Sequence, residues 1–110
     1  MTKTLWRFGR MALTILAAVG AHGAQADAWS ERKCFYYEAA VGDALAALGR
    51  EGLRAEFLAQ NDAFIAAGCV KTHAICPATP QEGRLVDMLT MMTMNEGMAS
   101  TFVPFGCRGG

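Results

Sequence analysis

Cysteine and methionine are the residues of this 110-residue chain whose side chains are best suited to chemistry. Cys34, Cys69, Cys76 and Cys107 form an even set. An even set in a small exported chain is typical of disulfides, whereas structural zinc sites usually carry two close pairs of Cys or His. Here Cys69 and Cys76 are the one close pair, and no Cys-x-x-Cys motif occurs. We therefore expect two structural disulfides rather than a metal site or a redox pair.

Four cysteines allow three pairings, and sequence alone does not choose among them. Cys34 and Cys69 flank the first predicted helical hairpin, and Cys76 and Cys107 flank the second half of the chain. Antiparallel packing of helices would bring the two members of each pair together, so this pairing is preferred. The competing hypothesis is a nested arrangement, Cys34–Cys107 with Cys69–Cys76.

The methionines are concentrated in one predicted helix and the residues that follow it. Thioethers are soft ligands that suit Cu(I), but no His or Cys joins this stretch at ligand spacing. Methionine more often fills an irregular core or provides an adaptable contact surface. We expect that role here, with no metal and no other cofactor. The cluster consists of Met88, Met91, Met92, Met94 and Met98.

Residues for enzyme catalysis are sparse, and we expect no enzyme activity. His73 has no assignable nucleophile or orienting group, and is expected to be an exposed loop residue. Glu38 and Asp43 are five positions apart, so a helix would not place them on one face. Phe35 and Tyr36 lie off the main apolar stripe of the first predicted helix, and aromatic residues are typical anchors of interfaces. The residues proposed for partner binding are Phe35, Tyr36, Met91, Met94 and Met98.

The elements that must position these residues are predicted to be helices. Alanine is abundant, and β-branched residues show no alternation. The first helix is capped by Asp27 or Ser30 and ends near Gly49. Its apolar face recurs at steps of three and four residues. That face comprises Cys34, Tyr37, Val41, Ala44, Leu45 and Leu48.

Further helices are predicted in the second half of the mature chain. One spans about Glu51 to Ala59, and a short helix then restarts at Asn61 or Asp62 and stops at Gly68. Thr79-Pro80-Gln81-Glu82 is a capping box, in which Thr79 and Glu82 bond each other's backbone N–H, and it opens the methionine-bearing helix. Met98 to Val103 could form one more short helix. The fold class is therefore all-α: a small single-domain bundle of about four helices.

The N-terminal segment has the three parts of a secretory signal. Lys3, Arg7 and Arg10 form a basic opening, Met11 to Val19 is a short apolar run, and Ala24-Gln25-Ala26 supplies a small-x-small site. The apolar run is about half the length of a spanning helix. We expect cleavage after Ala26, a mature domain from 27 to 110, no stable membrane insertion after cleavage, and a periplasmic or secreted location.

Charge supports a protein partner over a nucleic acid. The whole chain carries ten basic and ten acidic residues. The predicted signal removes three cations and no acid, so the mature domain is net acidic. Nucleic-acid binders usually carry a clustered basic surplus, so we expect no binding of nucleic acid.

The stretch from Cys34 to Ala44 resembles a motif of small periplasmic immunity proteins that neutralise cell-wall amidase toxins delivered by type VI secretion. Cys34, Tyr37 and Asp43 match that motif, whereas Tyr36 and Ala40 stand where the family has Gly. The second half is also similar: it has Cys76-Pro77, then a capped helix with Gln81 and Leu85-Val86, and a closing Cys107 after a Pro-Phe pair.

The resemblance implies an all-helical, disulfide-bonded periplasmic protein that blocks an enzyme by occupying its cleft, and it allows a homodimer. Two other classes of function stay open on the residues alone. One is a small helical stress chaperone activated by acid, and the other is an accessory subunit of an exported enzyme complex.

Overall fold

The structure, a computed structural model, describes the backbone of residues 11–108 and the side chains of 28–108. Three helices form in this part of the chain: α1 (Met11–Leu48), α2 (Ala55–Ala66) and α3 (Pro80–Asn95). The described residues contain no strand, and the isolated bridge between Ile75 and Phe105 is parallel. The all-α class is confirmed, with three helices in place of about four.

The chain divides into two compact units, Met1–Glu31 and Arg32–Gly110. In the first unit the described backbone is helical from residue 11 onwards. The second unit contains the rest of α1 together with α2, α3 and the core. Lys3, Arg7 and Arg10, the basic opening of the predicted signal, lie outside the described residues, as do the side chains around the predicted cleavage site.

The predicted break between two helices near Asn61 does not occur. Residues Ala55 to Ala66 form one helix, α2, and Asn61 lies in its middle with 2% of its surface exposed. The Asn61 side chain is engaged by the Tyr37 hydroxyl, so it is not available to cap a new helix. The prediction also started this helix too early, because Gly49 and Gly52 adopt positive φ angles of 79° and 82° and form the connection after α1.

The short helix predicted over Met98 to Val103 is also absent. This segment makes one turn, closed by the Phe102 N–H on the Ala99 carbonyl at 3.0 Å. Beyond it the backbone pairs with the loop before α3: the Ile75 N–H donates to Pro104 O and the Gly106 N–H donates to Ile75 O, at 2.8 and 3.0 Å. The chain is therefore extended directly after this turn.

The core lies where the three helices of the second unit and the C-terminal segment meet. Tyr37 is fully buried and stacks edge-on against Phe64 and Phe102, with ring centroids 5.2 and 5.9 Å away. Such aromatic pairs add to the burial of apolar area. The buried cluster consists of Tyr37, Ala40, Val41, Ala44, Phe57, Phe64, Ile75, Leu85, Leu89 and Val103.

Two disulfides connect the elements. Cys34 of α1 is bonded to Cys69 just after α2, with Cα atoms 5.3 Å apart. Cys76, in the loop before α3, is bonded to Cys107 near the C-terminus, with Cα atoms 4.7 Å apart. This is the pairing that antiparallel packing favours, and the nested alternative is not present.

Candidate protein-binding surface

The start of α3 is anchored by a buried carboxylate. Glu82 has no exposed surface, and both its oxygens accept hydrogen bonds from the Arg54 guanidinium at 2.9 to 3.1 Å. The backbone N–H groups of Arg54 and Ala78 donate to the same carboxylate, each at 2.8 Å. Because both carboxylate oxygens accept several hydrogen bonds, these bonds offset the free-energy cost of burying the charge. The contact ties the start of α2 to the start of α3.

Thr79 caps α3 as the sequence predicts. Its hydroxyl oxygen accepts from the Glu82 N–H at 3.1 Å, and the hydroxyl donates to the Gly52 carbonyl at 2.7 Å. The return bond of the predicted capping box is different, since Glu82 accepts from the N–H of Ala78 rather than that of Thr79. The hydrogen bond with the Arg54 guanidinium is the largest influence on Glu82, and it lowers the pKa of this carboxyl from 4.5 to about 2 against the opposing effect of burial.

A second buried polar contact fixes α1 against α2. The Tyr37 hydroxyl donates to the side-chain carbonyl of Asn61, and both residues are buried. Burial raises the pKa of the Tyr37 phenol well above its ordinary value, so it stays neutral and keeps its proton for this bond. Together with the Cys34–Cys69 disulfide, this contact holds α1 in place, and the outer surface of α1 is correspondingly fixed.

Two of the residues predicted to bind a partner lie side by side on α1. The Phe35 side chain is 67% exposed, and Tyr36 is half-buried. Their rings meet edge-on with centroids 6.0 Å apart. An exposed phenylalanine supported by a second aromatic ring is a rigid apolar contact surface.

The methionines divide between surface and core. Met91 and Met94 are 65% and 50% exposed, as a contact role requires. Met98 was also predicted to bind a partner, but it is only 5% exposed and is not available for contact. It lies after α3, in the segment that folds back towards the core. Met88 and Met92 are half-buried and pack against the core. Met88 and Met92 therefore fill space beside the core, while Met91 and Met94 are available for contact.

Leu48 was predicted to face the core but is 40% exposed. It is the last residue of α1. Leu48 instead lines an open depression of about 350 Å³ together with Met88 and Met91 of α3. Arg84 and Asp87 complete its edge. Periodicity shows which face of a helix is apolar, but not how far along the helix other elements cover that face. It therefore does not reveal that Leu48 is exposed.

A smaller pocket lies between α1 and α3, further from the end of α1. Its volume is about 110 Å³. Ala40 is its buried lining residue, Tyr36 and Met92 are half-buried, and Asp43 and Glu96 are exposed. We call it the α1–α3 pocket, and its lining consists of Tyr36, Ala39, Ala40, Asp43, Met92 and Glu96.

The depression and the pocket both lie between α1 and α3, and we call them together the α1–α3 face. Leu48 neighbours Met88 while Asp43 neighbours Met92, so the two helices run antiparallel along this face. Tyr36 and Met91 of this face are recognisable from the sequence as candidate contact residues. Leu48, Asp43 and Glu96 are not recognisable in this way, because these residues come together only through helix packing.

His73 lies on an exposed loop, and its Nδ1 is 3.0 Å from the Thr72 hydroxyl oxygen. Among residues whose side chains are described, no group of three or more His, Cys, Asp or Glu side chains is arranged to hold a metal ion. Within the same part of the chain, no helix combines the length and apolar character needed to cross a membrane. Comparison of the chain with protein-family models, curated proteins and solved structures gives no significant match.

Proposed function

We propose that this chain is exported to the periplasm and acts by binding another protein through the α1–α3 face. The observation that carries the proposal is the exposed apolar surface of that face. Met91 is 65% exposed and Leu48 is 40% exposed, and both line one depression. Grouped apolar side chains on a small domain are typical of an interaction site, whereas single exposed ones need no explanation.

The scaffold beneath this face is suited to binding because it is held at several points. The Cys34–Cys69 disulfide fixes α1, and the Glu82–Arg54 contact fixes the start of α3. A surface that is already ordered loses little conformational entropy when it binds, and this favours affinity. Methionine side chains such as Met88 and Met91 add adaptability to an otherwise rigid surface.

The partner class we propose is a cell-wall amidase, with this chain acting as its inhibitor. The support is the resemblance to periplasmic immunity proteins. Of the three residues that match the motif, Cys34 forms a disulfide and Tyr37 lies in the core. Asp43 is exposed in the α1–α3 pocket, and is therefore the matching residue that a partner would contact.

Affinity capture tests this proposal. The protein, expressed from the full chain with its disulfides formed, is immobilised and exposed to periplasmic extract of its own host. We expect capture of one partner in stoichiometric amount. The rate at which that partner hydrolyses peptidoglycan should fall when the protein is added. Capture of many unrelated proteins, or of a partner whose activity does not change, would contradict it.

An acid-activated chaperone is the second candidate, and one observation favours it. The Glu82 carboxyl has a pKa of about 2, and its ionised form joins the start of α2 to α3. Protonation of Glu82 as the pH approaches 2 would weaken that junction and expose apolar surface. Suppression of client aggregation that rises as the pH falls from 5 to 2 would support this function. Activity that does not vary with pH would exclude it.

A further inference from the structure

The α1–α3 pocket has the size of an amino-acid side chain. Its volume of about 110 Å³ is well below the roughly 300 Å³ at which pockets for small-molecule ligands begin. Its two helical walls are held by the core, and Ala40 on its floor is 8% exposed. A pocket of this kind on an interaction surface normally receives one anchoring side chain of a partner.

The lining selects for a positive charge on that side chain. Asp43 projects from α1 and Glu96 from the end of α3, and both line the pocket. Among the described residues, neither carboxylate takes part in an ion pair or a hydrogen bond with another side chain. A cation entering the pocket would therefore meet two carboxylates that are not already engaged.

The position of Glu96 strengthens this selection. Glu96 is the C-cap residue of α3, and the last turn of that helix contains no basic residue. The C-terminal end of a helix carries partial negative charge, so a carboxylate there is unfavourable and a cation is favourable. A positively charged occupant at this point would offset the unfavourable interaction between the Glu96 carboxylate and the end of α3.

The remaining lining residues favour a cation with an apolar stem. Tyr36 provides an aromatic ring, and Ala40 and Met92 provide an apolar floor. A divalent metal ion would need six or more oxygen ligands, or a close octahedral set. Guanidinium groups stack on aromatic rings and bond carboxylates in pairs, and their stems pack on apolar surface.

We propose that the α1–α3 pocket receives an arginine side chain of the partner protein. The guanidinium bonds Asp43 and Glu96, its plane lies against Tyr36, and its methylene stem packs on Ala40 and Met92. This inference rests on the proposed function as a protein-binding domain, and it names the chemistry by which the partner is recognised.

The pocket can be tested without the partner. We suggest titrating the protein with N-acetyl-arginine amide while following backbone amide signals by NMR, with N-acetyl-citrulline amide as the neutral control of equal shape. The expected result is that arginine, and not citrulline, shifts the signals around Tyr36, Asp43 and Glu96. The double variant Asp43→Asn/Glu96→Gln should lose these shifts. Equal shifts with the two compounds, or none with arginine, would overturn the proposal.

A second arm uses the captured partner and separates the two proposals. Asp43→Asn/Glu96→Gln should weaken binding of that partner by about tenfold, since two exposed charge pairs are lost. Asp62→Asn, which removes an exposed carboxylate from α2, should leave it unchanged. Partner binding that survives the double variant would overturn the arginine pocket and leave the proposed function standing. If no partner is captured, the proposed function fails, and the titration decides the pocket independently.

Discussion

Glu82 joins the start of α2 to the start of α3. It accepts from the Arg54 guanidinium and from two backbone N–H groups while fully buried. The capping motif around Thr79 is local and was readable from the sequence. The ion pair between Glu82 and Arg54 is not readable in this way, because the two residues are 28 positions apart and are brought together by the fold.

Replacing Glu82 with Gln tests this role. The amide cannot carry the charge that Arg54 pairs with, and one of its ends offers N–H groups where acceptors are needed. We expect a loss of about 2 to 4 kcal/mol in the free energy of unfolding, measured by urea denaturation at pH 7. Glu38→Gln, at an exposed position on α1, should change it by less than about 0.5 kcal/mol. Equal losses in the two variants would show that Glu82 has no special role.

The same carboxylate predicts how stability depends on pH. Its pKa is lowered from 4.5 to about 2 in the folded protein, so its contribution is complete above about pH 4.5. As the pH falls from 4.5 to 2 that contribution is lost, and stability should fall with it. Glu82→Gln should show a smaller fall over this interval than the unmodified protein, measured by urea midpoints. Identical pH profiles would contradict the assignment.

Tyr37 gives a paired test of the buried hydroxyl. Tyr37→Phe keeps the ring but removes the donor to Asn61, which leaves a buried carbonyl without a partner. The expected loss of unfolding free energy is about 1 to 3 kcal/mol. Tyr36→Phe makes the same chemical change at the neighbouring, half-buried position and should have little effect. A larger effect at Tyr36 than at Tyr37 would be inconsistent with the structure.

At the scale of elements, some helix boundaries are predictable from the sequence and others are not. Asp27 or Ser30 is expected to cap the first helix, but the backbone of α1 is helical from Met11 through both residues. Gly49, Gly68 and Thr79 mark boundaries that the structure confirms, because the preference of each residue is local. Asn61 was expected to interrupt α2 and does not, since Tyr37 engages its side chain from another helix. Tertiary contacts of this kind override local preference and are not encoded in any short window of sequence.

The two disulfides differ in exposure, which predicts their order of reduction. Cys76 and Cys107 are both exposed, whereas Cys34 and Cys69 are half-buried. Thiol attack requires access, so a mild reductant should open Cys76–Cys107 first. Timed alkylation followed by mass spectrometry would report the order. Alkylation of Cys34 and Cys69 before the other pair would contradict the structure.

At the scale of the whole molecule, composition and periodicity are sufficient to predict the all-α class. Helices that pack on a core carry apolar residues at regular steps of three and four. The α1–α3 face was only partly accessible. Tyr36 and Met91 were identified as unusual side chains, but the pocket that Tyr36 forms with Glu96 depends on the antiparallel packing of two distant segments. The residues of the α1–α3 face are therefore brought together by the fold, and no sequence motif identifies them.

The central claim, that the α1–α3 face binds a protein partner, is tested most directly by two matched substitutions. Met91 lies on the face and is 65% exposed, while Val70 lies on the loop after α2 and is 63% exposed. Each is replaced with Glu, and the dissociation constant for the captured partner is measured by calorimetry. We expect Met91→Glu to weaken binding by tenfold or more, which corresponds to about 1.4 kcal/mol. Val70→Glu should bind as the unmodified protein does. Equal affinity of both variants, or a greater loss at Val70, would contradict the claim.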